Sequence, residues 1–375
     1  IKHFCEAPGM AKGIKHIKNK PFKIIAEQTG SFIKNYPILV IDDETDNASV
    51  DTGDQTYYDD ENPDPNYEPK TINRLIRQLL NIFEKKAYVG YTATPYANIF
   101  IHDKGYTTTH GPDLFPKNFV IDLPIPENHT GLEKLFPPEI IEEGEIYDDE
   151  IENISQFKLV KDSSVWLPPQ HKKDHIPCTG IEGQKLPRSL RRAILSFLIT
   201  SLVRNMRGEI HAHKTMLIHV SRLTKVQKEI QMQVQDEIEE LRDILNQNIP
   251  SEKKSLIDEF KQIYDEDFLS ISNEHPEKVW PKAEQIFDDK HLKMIINQVG
   301  DNVKCLNRET EKGQDLDYEE YKRAHSGTGI ATIVIGGDKL SRGLTLEGLS
   351  ISYFLRSARH PMYDTLMQMG RWFGY

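Results

Sequence analysis

ILVIDDETD (Ile38 to Asp46) and, some forty residues later, YVGYTATP (Tyr88 to Pro95) decide the fold of this chain. Ile38 to Ile41 is a continuous apolar run, the pattern of a strand buried in a parallel sheet. It ends in a cluster of acids: Asp42, Asp43, Glu44 and Asp46. Between the two strings, Thr71 is placed as the N-cap of a helix over Ile72 to Lys86. Its apolar stripe is Ile72, Leu75, Ile76, Leu79, Leu80 and Phe83. Tyr88 to Tyr91 then returns as a strand that Pro95 keeps from running on. Strand, helix, strand in this order predicts a parallel α/β sheet with helices on its faces.

Working outward, Asp51 to Pro69 is rich in Asp, Asn, Tyr and Pro and reads as a long exposed loop. Residues 126–187 read as an irregular acidic and proline-rich connector between a first lobe, 1–125, and a second, 188–375. In the second lobe, Leu190 to Met206 reads as helix, Thr215 to Val220 as buried strand, and residues 224–325 as a helical insertion. Ala331 to Ile335 and Leu349 to Leu355 read as further strands. The fold class expected is α/β, with two RecA-like lobes of the P-loop NTPase type, the first incomplete.

The composition fits that class: 38% hydrophobic residues in 375 allow more than one core. No apolar run is long enough to span a bilayer and no export leader is visible, so a cytoplasmic location is expected. Cys5, Cys178 and Cys305 are far apart and offer neither a zinc site nor a disulfide framework. The net charge of −11 argues against coating nucleic acid by bulk charge, yet permits a local basic strip. Ile1 is no initiator methionine and Tyr375 falls within a motif, so a longer parent protein is expected.

Four groups of residues carry candidate chemistry. Carboxylates at the end of a parallel strand lie where nucleotide phosphates bind. There Asp43 is expected to hold Mg²⁺ and Glu44 to polarise the attacking water. Thr92 and Thr94 are placed to hydrogen-bond the acidic motif and relay nucleotide state. In the second lobe, Lys339, Ser341 and Arg342 follow Gly336-Gly337 and suit contact with a DNA strand, as do Ser221 and Arg222 after the strand TMLIHV. Gln368 and Arg371 sit on a predicted helix, with Arg371 suited to stabilise charge on a transferring phosphoryl group. No G-x-x-x-x-G-K-[ST] occurs, so a phosphate loop is expected from sequence outside this chain. His211, His213 and His219 alternate near a strand without a partnered acid or cysteine and read as structural.

Taken together, IDDETDNAS, YVGYTATPYANIFI, TMLIHVSR, GGDKLSRGLTLEGLSISYFLR and YDTLMQMGRWFGY resemble the Z-one domain family. That family carries an endonuclease label and is associated with superfamily-two helicases and with restriction and defence systems. Thr45 stands where the family usually has Ala. The resemblance implies an ATP-dependent, helicase-like DNA translocase with ATP and Mg²⁺ as cofactors. DNA and other restriction or defence components would be its partners. It carries roles to Asp43, Glu44, Thr92, Thr94, Arg342, Gln368 and Arg371. Two alternatives stand beside it: a metal-dependent DNA endonuclease built on Asp42, Asp43, Glu44 and Asp46, and a non-catalytic helicase-like scaffold.

Overall fold

The structure is a computed structural model that describes residues 33, 36–53, 57–58, 62–63, 66–127, 129, 131, 156–247, 249–269, 271, 280–307, 316–337 and 345–355. The chain divides into two compact units, residues 1–124 and 125–375.

The first unit is organised around two parallel strands, β1 (Ile38–Asp43) and β4 (Lys86–Tyr91), in a register that pairs Ile38 with Lys86 and Asp43 with Tyr91. Helix α1 (Thr71–Ile82) connects them and buries Leu75 and Ile76. The helix differs from expectation at both ends. Thr71 is its first residue rather than its cap; Lys70 takes the cap position without a side-chain bond to the helix. It stops at Ile82 because Phe83 turns into an extended bridge with Ile33 and Lys86 must already stand opposite Ile38. Asn73 and Arg77 are also buried on α1, and Asn73 donates to Asp113 and to the Ser49 carbonyl. Arg77 donates to Thr107 and the Gly111 carbonyl, tying down the small hairpin of β5 (Tyr106–Thr107) and β6 (Gly111–Pro112). A second minimal hairpin, β2 (Tyr57–Tyr58) with β3 (Asn62–Pro63), lies within the expected loop. A single turn, α2 (Tyr96–Ile99), follows β4. Contrary to the expected burial on both faces, β1 alternates, with Leu39 60% and Ile41 63% exposed.

The second unit is a four-stranded parallel sheet in the order β10-β7-β9-β8. Strands β7 (Lys214–His219) and β9 (Ala331–Gly336) are central and buried at every position. Their runs TMLI and ATIVI are dense in apolar and β-branched residues, as a strand covered on both faces requires. Met216, Ile218, Ile333 and Ile335 face one core, shared with α3 (Arg188–Met206), α4 (Thr224–Gln247), α5 (Pro250–Asp267) and α7 (Asp289–Gly300). A short turn, α6 (Ala283–Ile286), adds Ile286 to it. Leu217 and Val334 point the other way, into a smaller cluster with Tyr318 of α8 (Tyr318–Ala324). The period-two alternation of the strands thus divides the core into two layers.

Residues 224–325 are more than a helical insertion. Val303–Leu306 forms β8, an edge strand of the sheet beside β9, and α4 and α7 pack on the sheet itself. Strand β10 (Leu349–Phe354) joins the opposite edge, beside β7. Gly348 enables that entry: it takes φ +65°, and a Cβ there would lie 1.9 Å from the His213 carbonyl oxygen. Ion pairs lace α3 to its neighbours, with Arg191 on Glu237 and Glu259, and Arg192 on Glu266 and Asp267.

Lys214 opens the central strand at 1% exposure, its ammonium donating to the carbonyls of Glu209 and Ala212 at 3.0 and 2.9 Å. Burial, with Arg204 nearby, pulls its pKa down to about 8. Between pH 8 and 10.5 the unfolded lysine keeps a proton that the folded one has released, so stability rises with pH across this window. The rise should be on the order of 2–3 kcal/mol. Urea unfolding of the parent and of Lys214→Met at the two ends of the window checks this. The parent should gain stability relative to the variant as pH rises; a pH-independent difference contradicts the assignment.

Candidate functional site

The acids of the first unit are sorted by the strand they stand on. Asp42 and Asp43 are successive residues of β1 and project to opposite faces of the sheet. Asp42 accepts the Tyr88 hydroxyl at 2.6 Å. The Tyr88 proton is thereby spent, so Thr45 Oγ1, 2.8 Å away, donates to the same phenol oxygen. Burial, then the Asp42 carboxylate, pushes the Tyr88 pKa up, and the phenol stays a donor. Asp43 is exposed at the carboxyl end of β1.

Glu44 leaves the strand in a left-handed conformation, φ 59°, which a side chain with a Cβ rarely adopts. The turn is closed by Asn47 N–H donating to the Glu44 carbonyl at 3.0 Å and Thr45 N–H to the Tyr91 carbonyl at 3.1 Å. Thr45 is buried and packs where Gly90 leaves room; a Cβ at Gly90 would sit 2.7 Å from Thr45 Cγ2. Thr45 is therefore accommodated by a glycine on the neighbouring strand and used by Tyr88. Asn98 of α2 donates to the Thr45 carbonyl at 3.3 Å.

Asp46 joins the two motifs. Thr92 Oγ1 donates to one of its carboxylate oxygens at 2.7 Å, and Thr94 Oγ1 to the other at 2.8 Å. Thr94 N–H in turn donates to Thr92 Oγ1 at 2.9 Å, so the Thr-Ala-Thr turn is folded around the carboxylate. Both hydroxyl bonds are to a charged acceptor and belong to the stronger kind. Sequence reasoning grouped Asp46 with its neighbours and gave it a role of its own only as a metal carboxylate of the endonuclease alternative. Four acids at the i, i+1, i+2 and i+4 positions look alike in a string, and only the parallel register that brings Thr92 next to Asp46 separates them.

Among the described residues, no group of three or more His, Cys, Asp or Glu side chains is arranged to hold a metal ion. Asp43 and Glu44 remain the carboxylates that could meet a cation already carried by phosphate oxygens, a role that needs few protein ligands.

In the second unit, the connections reverse between β7 and β9: β7 leads past β9 to β8, and β9 leads back past β7 to β10. In open parallel sheets a crevice opens at the carboxyl ends of such strands. Ser221 and Arg222 lie there, one residue beyond the end of β7, and Gly337 directly after β9. A Cβ at Gly337 would fall 2.6 Å from Gln227 Nε2 and 2.9 Å from the Ser221 carbonyl oxygen, so glycine permits the two loops to close on one another. Arg222 is exposed, whereas Ser221 is buried, its hydroxyl held by His171 Nε2 at 2.8 Å and accepting from Leu223 N–H at 3.1 Å. Lys339, Ser341, Arg342, Gln368 and Arg371 lie outside the described residues. The histidines read as structural are engaged within the fold. His211 meets the Gly327 carbonyl at 2.9 Å, His213 accepts from Ile330 N–H at 3.2 Å, and His219 stands edge-on to Phe354. Burial lowers the pKa of His213.

The Asp46 grip predicts energetic coupling. Asp46→Ala, Thr92→Val and Thr94→Val should each destabilise the first unit by about 1–2 kcal/mol. The triple variant should cost clearly less than the sum, because one network is lost only once. Urea unfolding followed by hydrogen exchange in β4 measures it; strictly additive losses contradict the network.

No helix among the described residues is long and apolar enough to cross a membrane. No curated protein and no solved structure matches the chain. Residues 189–375, from the second position of α3 to the end, match the Z1 domain, the Z-one family that the motifs resemble. The chain belongs to the Z1 domain family.

Proposed function

We propose that this Z1 protein is the acid-bearing and strand-contacting part of an ATP-dependent, helicase-like DNA translocase. The observation that carries the reading is the double hydrogen bond from Thr92 and Thr94 to Asp46. It makes the acidic turn after β1 and the threonine turn after β4 a single mechanical piece. A displacement of either turn is then felt by the other, which is what coupling nucleotide state to DNA movement requires.

Asp43 would meet a Mg²⁺ ion on the nucleotide phosphates, and Glu44 would orient the attacking water. The bound Mg-nucleotide supplies the phosphoryl group to be transferred. Asp43 suits its role by being exposed at the carboxyl end of a parallel strand, and Glu44 by the left-handed turn that lifts it off the sheet. Arg342, Gln368 and Arg371 complete the reading as residues that sense or stabilise phosphoryl charge; Arg222, Lys339 and Ser341 would line the DNA path, with the buried Ser221 supporting Arg222 from beneath. DNA, and components of a restriction or defence complex, are the partners this reading takes.

The endonuclease alternative needs its carboxylates gathered at one metal centre. Asp42 and Asp43 diverge across the sheet, and Asp42 and Asp46 are held by Tyr88, Thr92 and Thr94. That distribution favours the motor.

Two measurements test the proposal. The 375-residue chain, lacking a phosphate-loop sequence, should hydrolyse ATP only at background with or without DNA. In a polypeptide that carries such a loop ahead of these residues, Glu44→Gln should bind nucleotide and fail to turn it over. There Arg371→Ala should lower turnover by roughly a thousandfold or more. Robust DNA-stimulated turnover by the 375 residues alone, or near-normal turnover by either variant, overturns the reading. Mg²⁺-dependent nicking of plasmid DNA that disappears in Asp43→Ala would favour the endonuclease.

A further inference from the structure

Residues 156–187, ahead of the Z1 match, form a strap packed on the main core and on α4 of the second unit. Its apolar anchors are Trp166, Leu167 and Leu186, all part of the main core. Polar ties fix it to α4: Trp166 Nε1 donates to Gln233 Oε1 at 2.9 Å, and Gln233 Nε2 donates to the Pro177 carbonyl at 2.6 Å. Between these anchors the strap carries His171-Lys172-Lys173-Asp174-His175.

Both histidines of this loop point inward. His171 Nδ1 donates to the Pro168 carbonyl at 2.8 Å, which leaves Nε2 of the neutral ring to accept the Ser221 hydroxyl at 2.8 Å. His175 Nε2 donates to the Trp166 carbonyl at 2.9 Å, and the two rings lie 5.9 Å apart. Asp174, the one acid of the five, is paired with Lys225 in the first turn of α4 at 2.9 Å. Everything in the loop that could anchor it is used as an anchor, and Lys172 and Lys173 are exposed. The anchor point is Ser221, whose chain neighbour is the exposed Arg222, at the crevice between the ends of β7 and β9.

We propose that Lys172 and Lys173 of the strap, together with Arg222, form a basic surface that binds the phosphodiester backbone of a single DNA strand at the carboxyl edge of the Z1 sheet. It rests on the proposed function for the identity of the partner, but adds two residues from outside the family match. The His171–Ser221 bond joins the segment of Lys172 and Lys173 to that of Arg222, and Asp174 is paired with Lys225; on a chain of net charge −11 this is a local reversal of the bulk field, and a linear polyanion is the ligand that such a reversal selects. Lysine and arginine contacts of this kind read charge and spacing rather than base identity, so binding is expected to be indifferent to sequence. The Ser221 hydroxyl, committed to His171, holds the cations in place instead of touching the strand.

The test is fluorescence anisotropy of a labelled single-stranded oligonucleotide with the 375-residue chain, without nucleotide, over a range of salt. K172Q/K173Q should weaken binding by about tenfold at physiological salt and reduce the slope of log affinity against log salt by about 1.4. Arg222→Gln, on the other arm, should act in the same direction with about half the change in slope. K254Q/K290Q, which removes two exposed lysines elsewhere in the unit, should leave both quantities unchanged. Affinity and slope unaltered in K172Q/K173Q, an equal loss in K254Q/K290Q, or no binding by the parent chain would each overturn the proposal. Because nucleotide is absent, failure of the ATPase reading leaves this result standing.

Discussion

The carboxylate of Asp46 is the constraint on which the first unit depends. It receives two hydroxyl donors from a turn more than forty residues away, and can do so only because β1 and β4 run parallel in a fixed register. A slip of one residue would turn every side chain of β4 to the opposite face and remove both donors. The same register sets Gly90 under Thr45 and Tyr88 beside Asp42, so the two strands are locked by side chains as well as by their ladder. Asp43 and Glu44 stand on that locked frame, at its open end. Their position relative to the threonine turn is therefore set by short-range bonds rather than by loop conformation, which is the condition for a site whose geometry must hold to within fractions of an ångström.

The second unit is built on burial instead. Strands β7 and β9 are covered on both faces, and the large core of α3, α4, α5 and α7 holds the sheet rigid. Polar chemistry is pushed to its rims. At the amino end, Lys214 and His213 are buried and pay for it in lowered pKa. At the carboxyl end, Gly337 allows the β7 and β9 loops to close together, and the strap meets that edge through His171 and Ser221. The division suits the proposed function, in which one unit presents a chemical edge and the other a firm surface for a charged polymer.

Much of this was legible in the sequence. The runs ILVI, TMLIHV, ATIVI and LSISYFL announced four of the strands, since dense apolar and β-branched residues admit few other structures. Strand β8 was not announced: VKCL is four residues long, carries a lysine and sits in a polar, helix-rich context, and the sheet recruits it through its pairing with β9. The end of α1 was misplaced because apolar spacing continues through Phe83, whereas the chain must by then have turned to meet β1. At the candidate site the types of residue were legible and their division of labour was not. The sequence treats Asp42, Asp43, Glu44 and Asp46 as neighbours in one string, while strand alternation and register set two of them to structural work. The His171–Ser221 tie joins residues fifty positions apart, and no local pattern anticipates it.

The central claim is that the acidic turn and the threonine turn move as one piece in response to nucleotide. Hydrogen exchange at the Thr45 and Thr94 amides tests it most directly, because the first donates to Tyr91 across the strands and the second to Thr92 within the turn. In a polypeptide carrying the phosphate loop, adding Mg²⁺ and a non-hydrolysable ATP analogue should change the protection of both amides together. Asp46→Ala should break that concert, leaving Thr45 responsive and Thr94 unaffected. Bound nucleotide that leaves both amides unchanged in the parent, or a joint response that survives Asp46→Ala, would contradict the account.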